Sequence, residues 1–156
     1  AAGVDVSKDI LKMAVVERHK NTRHIGIGYL KGYGLKSGAV ATSVAHDSHN
    51  IICVGTNDED MAFAVNRIAR NRGGIVVVEN GQVLAELPLE IAGIISGKPL
   101  REVNTLLEDA KKAAHALGVG TDIDPFMTLS FMSLPVIPTL RLTTRGVVDV
   151  NTQQYV

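Results

Sequence analysis

Apolar residues fall along this chain in blocks whose spacing switches between the periods of strand and helix. Residues 9–17, Asp9-Ile10-Leu11-Lys12-Met13-Ala14-Val15-Val16-Glu17, are nearly continuous in apolar character and predict a buried strand. The opening in front of it, Ala1-Ala2-Gly3-Val4-Asp5, carries neither period. After a polar turn over His19 to Arg23 comes His24-Ile25-Gly26-Ile27-Gly28-Tyr29. If this stretch is extended, Ile25, Ile27, Tyr29 and Tyr33 share one face and Gly26, Gly28, Gly32 and Gly34 share the other, broken only by Leu30. A bare strand face marks either turn chemistry or a place where another backbone or ligand comes close. It predicts a Gly-rich hairpin connection or a surface for another domain, with Phe126, Met127, Phe131 and Met132 as adaptable apolar area for the same contact.

Residues 35–44, Leu35 to Val44, lead into the polar cluster His46-Asp47-Ser48-His49-Asn50, and Ile51-Ile52-Cys53-Val54-Gly55 then reads as a short buried strand. Thr56-Asn57-Asp58-Glu59-Asp60 is a helix start, with a capping side chain and three acids in the first turn. Met61, Val65 and Ile68 follow on one face, Arg67, Arg70 and Arg72 suit the C-terminal end, and Gly73-Gly74 stop the helix. Residues 75–79 and 82–87 form a hairpin around Asn80-Gly81, a type I′ turn pair, and Pro88 ends it. A short helical stretch is expected at Glu90 to Ser96. A longer helix is expected from Pro99, with Leu100, Val103, Leu106, Leu107, Ala110, Ala114 and Leu117 as its stripe and Gly118 as its stop. Asp124-Pro125 starts a helix over Phe126 to Met132, Pro135 and Pro138 forbid a longer one, and residues 140–143 and 146–150 make a last hairpin. The order β-β-β-α-β-β-α-α-α-β-β predicts an α+β or mixed α/β fold: one domain over residues 1–156, with a hairpin-rich mixed sheet and three to four helices.

Composition narrows the function. With 156 residues, 46% of them hydrophobic, the chain is long enough to bury roughly 70% of its unfolded surface. Sixteen basic residues balance sixteen acidic ones, which excludes a nucleic-acid binder of the ordinary basic kind. The longest apolar run, Met61 to Val65, is five residues, so no segment predicts a membrane span. One cysteine, Cys53, excludes an internal disulfide and a Cys-rich zinc site. The opening lacks an initiator Met and a signal-peptide pattern, which suggests a trimmed chain or a piece of a longer one in a cytoplasmic setting.

Chemistry concentrates in His46-Asp47-Ser48-His49-Asn50, five polar side chains between two apolar segments. Two imidazoles and a carboxylate are metal-ligand types, yet no second cluster supplies further ligands, and His19, His24 and His115 stand alone. Ser48 between Asp47 and His49 is a poor triad, because sequence neighbours rarely reach that geometry and no G-x-S-x-G elbow is present. Gly26-Ile27-Gly28 has Lys31 where a dinucleotide fingerprint needs its third glycine. The zinc nucleobase-deaminase pattern needs two cysteines. These residues by themselves leave the function open.

Three longer segments bear on it: residues 36–50 ending in Val44-Ala45-His46-Asp47-Ser48-His49-Asn50 and continuing into residues 54–61; Val83 to Leu89; and Asp124-Pro125-Phe126-Met127-Thr128-Leu129-Ser130-Phe131 with Leu134-Pro135-Val136-Ile137-Pro138. In order and spacing, over nearly the whole chain, the sequence resembles the C-terminal domain of microbial adenine deaminases of the amidohydrolase superfamily. The family pattern has an acidic residue after the Leu-Pro-Val-Ile-Pro run, where this chain has Thr139, so no role carries over to that position. The resemblance implies hydrolysis of adenine to hypoxanthine and ammonia, by a metal-bound hydroxide on a binuclear manganese or iron centre in an upstream barrel. It implies no metal ligand and no cofactor within this chain, the rest of the deaminase chain as partner, adenine as substrate, and a homo-oligomer. The site residues it favours are His46, Asp47 and His49 as accessory catalytic groups, with Ser48 and Asn50 binding substrate. Two other readings stand beside it: a loop that merely holds a turn, and a non-catalytic assembly module.

Overall fold

A computed structural model describes residues 3–156; Ala1 and Ala2, the first two residues of the aperiodic opening, lie outside the described residues. The described chain forms strands β1 (Ile10–Val16), β2 (Ile25–Lys31), β3 (Ala39–Thr42), β4 (Ile51–Gly55), β5 (Gly74–Glu79), β6 (Gln82–Pro88), β7 (Leu140–Thr143), β8 (Gly146–Asp149) and β9 (Gln154–Tyr155). Its α-helices are α1 (Asp58–Arg70), α2 (Leu100–Ala116) and α3 (Pro125–Ser130), and a 3-10 turn spans Val6–Lys8. Six strands build one sheet in the order β2-β1-β4-β3-β5-β6, and β7-β8-β9 build a small second sheet. Every pairing is antiparallel, so the α+β alternative holds and the main sheet is not mixed.

Strand alternation divides the core. Leu11, Met13, Val15, Val40, Ile52 and Val54 face α2, α3 and the small sheet, whereas Ala14, Ala39, Ala41, Cys53, Val76 and Val78 face α1 through Met61, Ala64 and Ile68. β3, β4 and most of β5 are covered on both sides, which explains their unbroken apolar runs. The local signals work as the residues predict. Asn57 caps α1 by accepting the Asp60 N–H at 2.8 Å. Buried Asp60 in turn accepts from the backbone N–H groups of Asn80 (3.2 Å) and Gly81 (2.8 Å), tying the β5–β6 turn to the helix start. Asn80 and Gly81 both take positive φ, 51° and 70°, as a type I′ turn requires. Asp124 caps α3 through the N–H groups of Phe126 and Met127.

Four expectations are corrected. β3 is not among the expected strands; its four residues, Ala-Val-Ala-Thr between Gly38 and Ser43, are too few to show a period, and they are extended because neighbours pair with them on both sides. Residues 90–96 form no helix: Ala92 and Gly93 adopt left-handed φ of 55° and 77°, and a bridge joins Ile91 to Ile95. Their carbonyls bond elsewhere, Gly93 O to the Ser43 hydroxyl at 2.6 Å and Ala92 O to Arg18 at 2.7 Å. The helix expected to reach Met132 ends at Ser130.

The fourth correction concerns the glycine face, which this domain fills itself. β7 and β8 lie across β2, and a Cβ on Gly26 would sit 1.7 Å from the Thr143 carbonyl oxygen. One on Gly28 would meet the Leu142 side chain at 3.3 Å. The opposite face, carrying Ile25 and Ile27, points outward. Gly26→Ala is therefore expected to destabilise this chain by about 1–3 kcal/mol through overpacking alone, read as a lower urea midpoint. An unchanged midpoint would mean that the hairpin does not lie this close.

Candidate functional site

The loop from Ser43 to Asn50 leaves the centre of the sheet between β3 and β4, and its first residues are anchored inside the protein. The buried Ser43 hydroxyl donates to Gly93 O and accepts the Gly74 N–H at 2.7 Å. The His46 N–H donates to Ser130 O at 2.9 Å, and its ring stacks on Phe131 with centroids 5.1 Å apart. His49 closes the turn. Its N–H donates to Ala45 O at 2.6 Å, and its Nδ1 accepts the Ala45 N–H at 3.2 Å. That bond requires an unprotonated Nδ1. Burial, and then the neighbouring His46 and Arg18, hold the His49 imidazole below its ordinary pKa against an opposing pull from Asp47.

Arg18 clamps the loop from outside. Its Nε donates to His49 O at 2.9 Å, its backbone N–H donates to Asn50 Oδ1 at 3.2 Å, and its guanidinium also reaches Ala92 O. His19 Nε2 donates to Ser48 O at 2.6 Å, and Asn50 Nδ2 donates to Ser48 Oγ at 3.2 Å. Four of the five residues are thus committed to holding the loop. Asp47 is the exception: its carboxylate is exposed and takes no hydrogen bond among the described residues.

Asp47, Ser48 and Asn50 face a cleft of about 470 Å³, within the size range of small-molecule sites. Its other wall is Ser133 to Val136 with Thr143 and Thr144 from the β7–β8 hairpin, and Val15 also lines it. His46 and His49 do not line it. Ser133 is only 6% exposed, and its hydroxyl has no hydrogen-bond partner among the described residues. A buried hydroxyl of this kind costs free energy until something bonds it. Ser133, Thr143, Thr144 and Arg18 were missed in the sequence, since each looks ordinary until the chain brings it to the loop. The signal for Ser133 lay only in its place before Leu134-Pro135. No three His, Cys, Asp or Glu side chains converge among the described residues as a metal would require.

Comparison with known proteins decides the family. Residues 1–154 match the family described as adenine deaminase C-terminal domain. The chain belongs to that family. Curated adenine deaminases align with it closely: 54% identity over 147 residues for the protein of Nitratidesulfovibrio vulgaris Hildenborough, covering 94% of this chain and 26% of that protein. The Bacillus subtilis strain 168 protein is 47% identical over 152 residues, covering 97% and 26%. One called adenine deaminase 2, from Carboxydothermus hydrogenoformans, is 53% identical over 145 residues, covering 93% and 25%. This chain therefore spans about a quarter of the length of these curated relatives.

For this member of the adenine deaminase C-terminal domain family, the His49 geometry predicts an acid-sensitive loop. Because the folded imidazole has a lowered pKa, its contribution to stability is complete above the ordinary value of 6.5 and is lost as pH falls through the folded value. Hydrogen exchange at the Ala45 and His46 amides should accelerate below pH 6.5 beyond its intrinsic dependence. His49→Gln should abolish that extra acceleration. If the wild type and the variant respond alike, His49 does not control the loop.

Proposed function

We propose that this domain serves an adenine deaminase polypeptide by presenting the 46–50 loop to the purine, so that the whole chain hydrolyses adenine to hypoxanthine and ammonia. The observation that carries this reading is one cleft lined together by Asp47, Ser48, Asn50 and Ser133. The cleft joins two sequence segments through which the chain resembles its family. An ionised carboxylate accepts hydrogen bonds only, which suits the exocyclic amino group or a ring N–H of adenine, and a hydroxyl can donate to a ring nitrogen. Asp47 is the residue free to take or hold a proton at the purine. Ser48, Asn50 and Ser133 orient the ring. His46 and His49 are positioning residues that keep Asp47 outward through the packing of the loop. Metal chemistry is assigned to none of these residues. In this reading manganese or iron is held by the barrel that precedes the domain, and the whole protein is a cytoplasmic homo-oligomer.

Two measurements test the reading. This chain alone should leave adenine unchanged in the presence of Mn²⁺ or Fe²⁺, followed by the absorbance change to hypoxanthine, and turnover by it would relocate the chemistry. In the full-length polypeptide, Asp47→Ala should lower kcat/KM by about 10²-fold or more, the scale of a lost acid–base group. Its Tm should move by only about 2 °C, as for an exposed side chain without partners. Unchanged kcat/KM would favour the assembly role, and equal losses in activity and Tm would favour a loop that only holds its turn.

A further inference from the structure

Among the described residues, nothing covers Ile25 and Ile27 on the β2 face opposite the glycines. α1 packs over β3, β4 and β5, which leaves Ile25 and Ile27 of the edge strand β2 each 55% exposed. Between them and the helix runs a groove of about 430 Å³, walled by Ala14, Val16, Ile25, Ile27, Met61 and Val65. The charged residues that also line it, Lys12 and Asp58, are already paired at 2.6 Å. The groove therefore presents apolar area with its charges matched, which suits an apolar occupant. A pair of exposed isoleucines on an edge strand is an arrangement that unpartnered proteins avoid.

The position of Gly3 indicates which occupant. Gly3 lies against the Tyr29 ring, where a Cβ would come 2.5 Å from the phenol oxygen. Tyr29 follows Ile25 and Ile27 on the same face of β2. This family is a C-terminal domain, and its curated relatives are about four times longer than the matched region. In a polypeptide built like them, the preceding residues arrive at Gly3, beside the groove. A short tether raises the effective concentration of the preceding domain into the millimolar range, so a modest apolar patch suffices for docking. A second copy of the chain has no such advantage.

We propose that the groove between β2 and α1 is the docking face for the part of the same polypeptide that precedes Gly3. The proposal rests on the reading that this domain belongs to a longer deaminase chain, and it names the face that reading leaves open. In full-length polypeptide carrying Ile27→Cys, alkylation of that thiol by iodoacetamide, read by mass spectrometry, should be roughly tenfold slower than in a Leu84→Cys control. Leu84 lies on the opposite edge strand and is 45% exposed. The protection should persist on about hundredfold dilution. As a second readout, Ile27→Asp should make the junction before Gly3 about tenfold more sensitive to limited proteolysis, with the strand signal in circular dichroism retained. Labelling of Ile27→Cys as fast as the control would overturn the proposal. Protection that disappears on dilution would also overturn it and assign the groove to a second copy. Adenine turnover by the wild-type full-length chain is measured in parallel. Protection without turnover would overturn the functional reading and leave the docking face standing.

Discussion

Gly26 and Gly28 leave the first part of one side of β2 without side chains, and the β7–β8 hairpin settles there at backbone distance. The rest of the arrangement follows from this contact. It sets Thr143 and Thr144 at the mouth of the cleft, and Leu142 N–H bonds to Met132 O at 3.1 Å, drawing the Ser133 segment in beside them. Because the glycine side is filled from within, the isoleucine side of the same strand faces out. A larger residue at position 26 would therefore disturb the cleft as well as the hairpin.

The loop over residues 46–50 shows how a short polar segment divides its work. Backbone bonds, the His49 ring and the Arg18 clamp consume the hydrogen-bonding capacity of most of it. Fixing those groups lowers the entropy that any ligand must later remove, and it leaves the Asp47 carboxylate as the free acceptor at the rim. His46, stacked on Phe131, carries the same rigidity to the end of α3. Structural and chemical readings of this loop are therefore assigned to different residues within it.

Much of the fold was legible because its signals are local. Asn57, Asp124 and the Asn80-Gly81 pair act within a few residues of themselves, and the α1 and α2 stripes have helical spacing, although Leu100, expected in the α2 stripe, is exposed. The misses are tertiary. β3 is a strand because β4 and β5 flank it, and residues 90–96 are held open by Ser43 and Arg18, which lie far away in sequence. The glycine face was readable as a close approach, but the sequence could not say whether the approaching backbone was its own. The same limit applies to the site. The density of polar residues at 46–50 stood out, whereas the Arg18 clamp and the Ser133 wall come from residues far from the loop in sequence.

The central claim is that the cleft between the 46–50 loop and Ser133 faces the purine in the complete protein. A crystal structure of the full-length polypeptide with hypoxanthine bound tests it most directly. The Asp47 carboxylate should then lie within hydrogen-bond distance of the purine, roughly 2.6–3.2 Å, with the Ser133 segment forming the facing wall. A purine bound with this cleft turned to solvent, and no atom of residues 46–50 or 133 near it, would contradict the account.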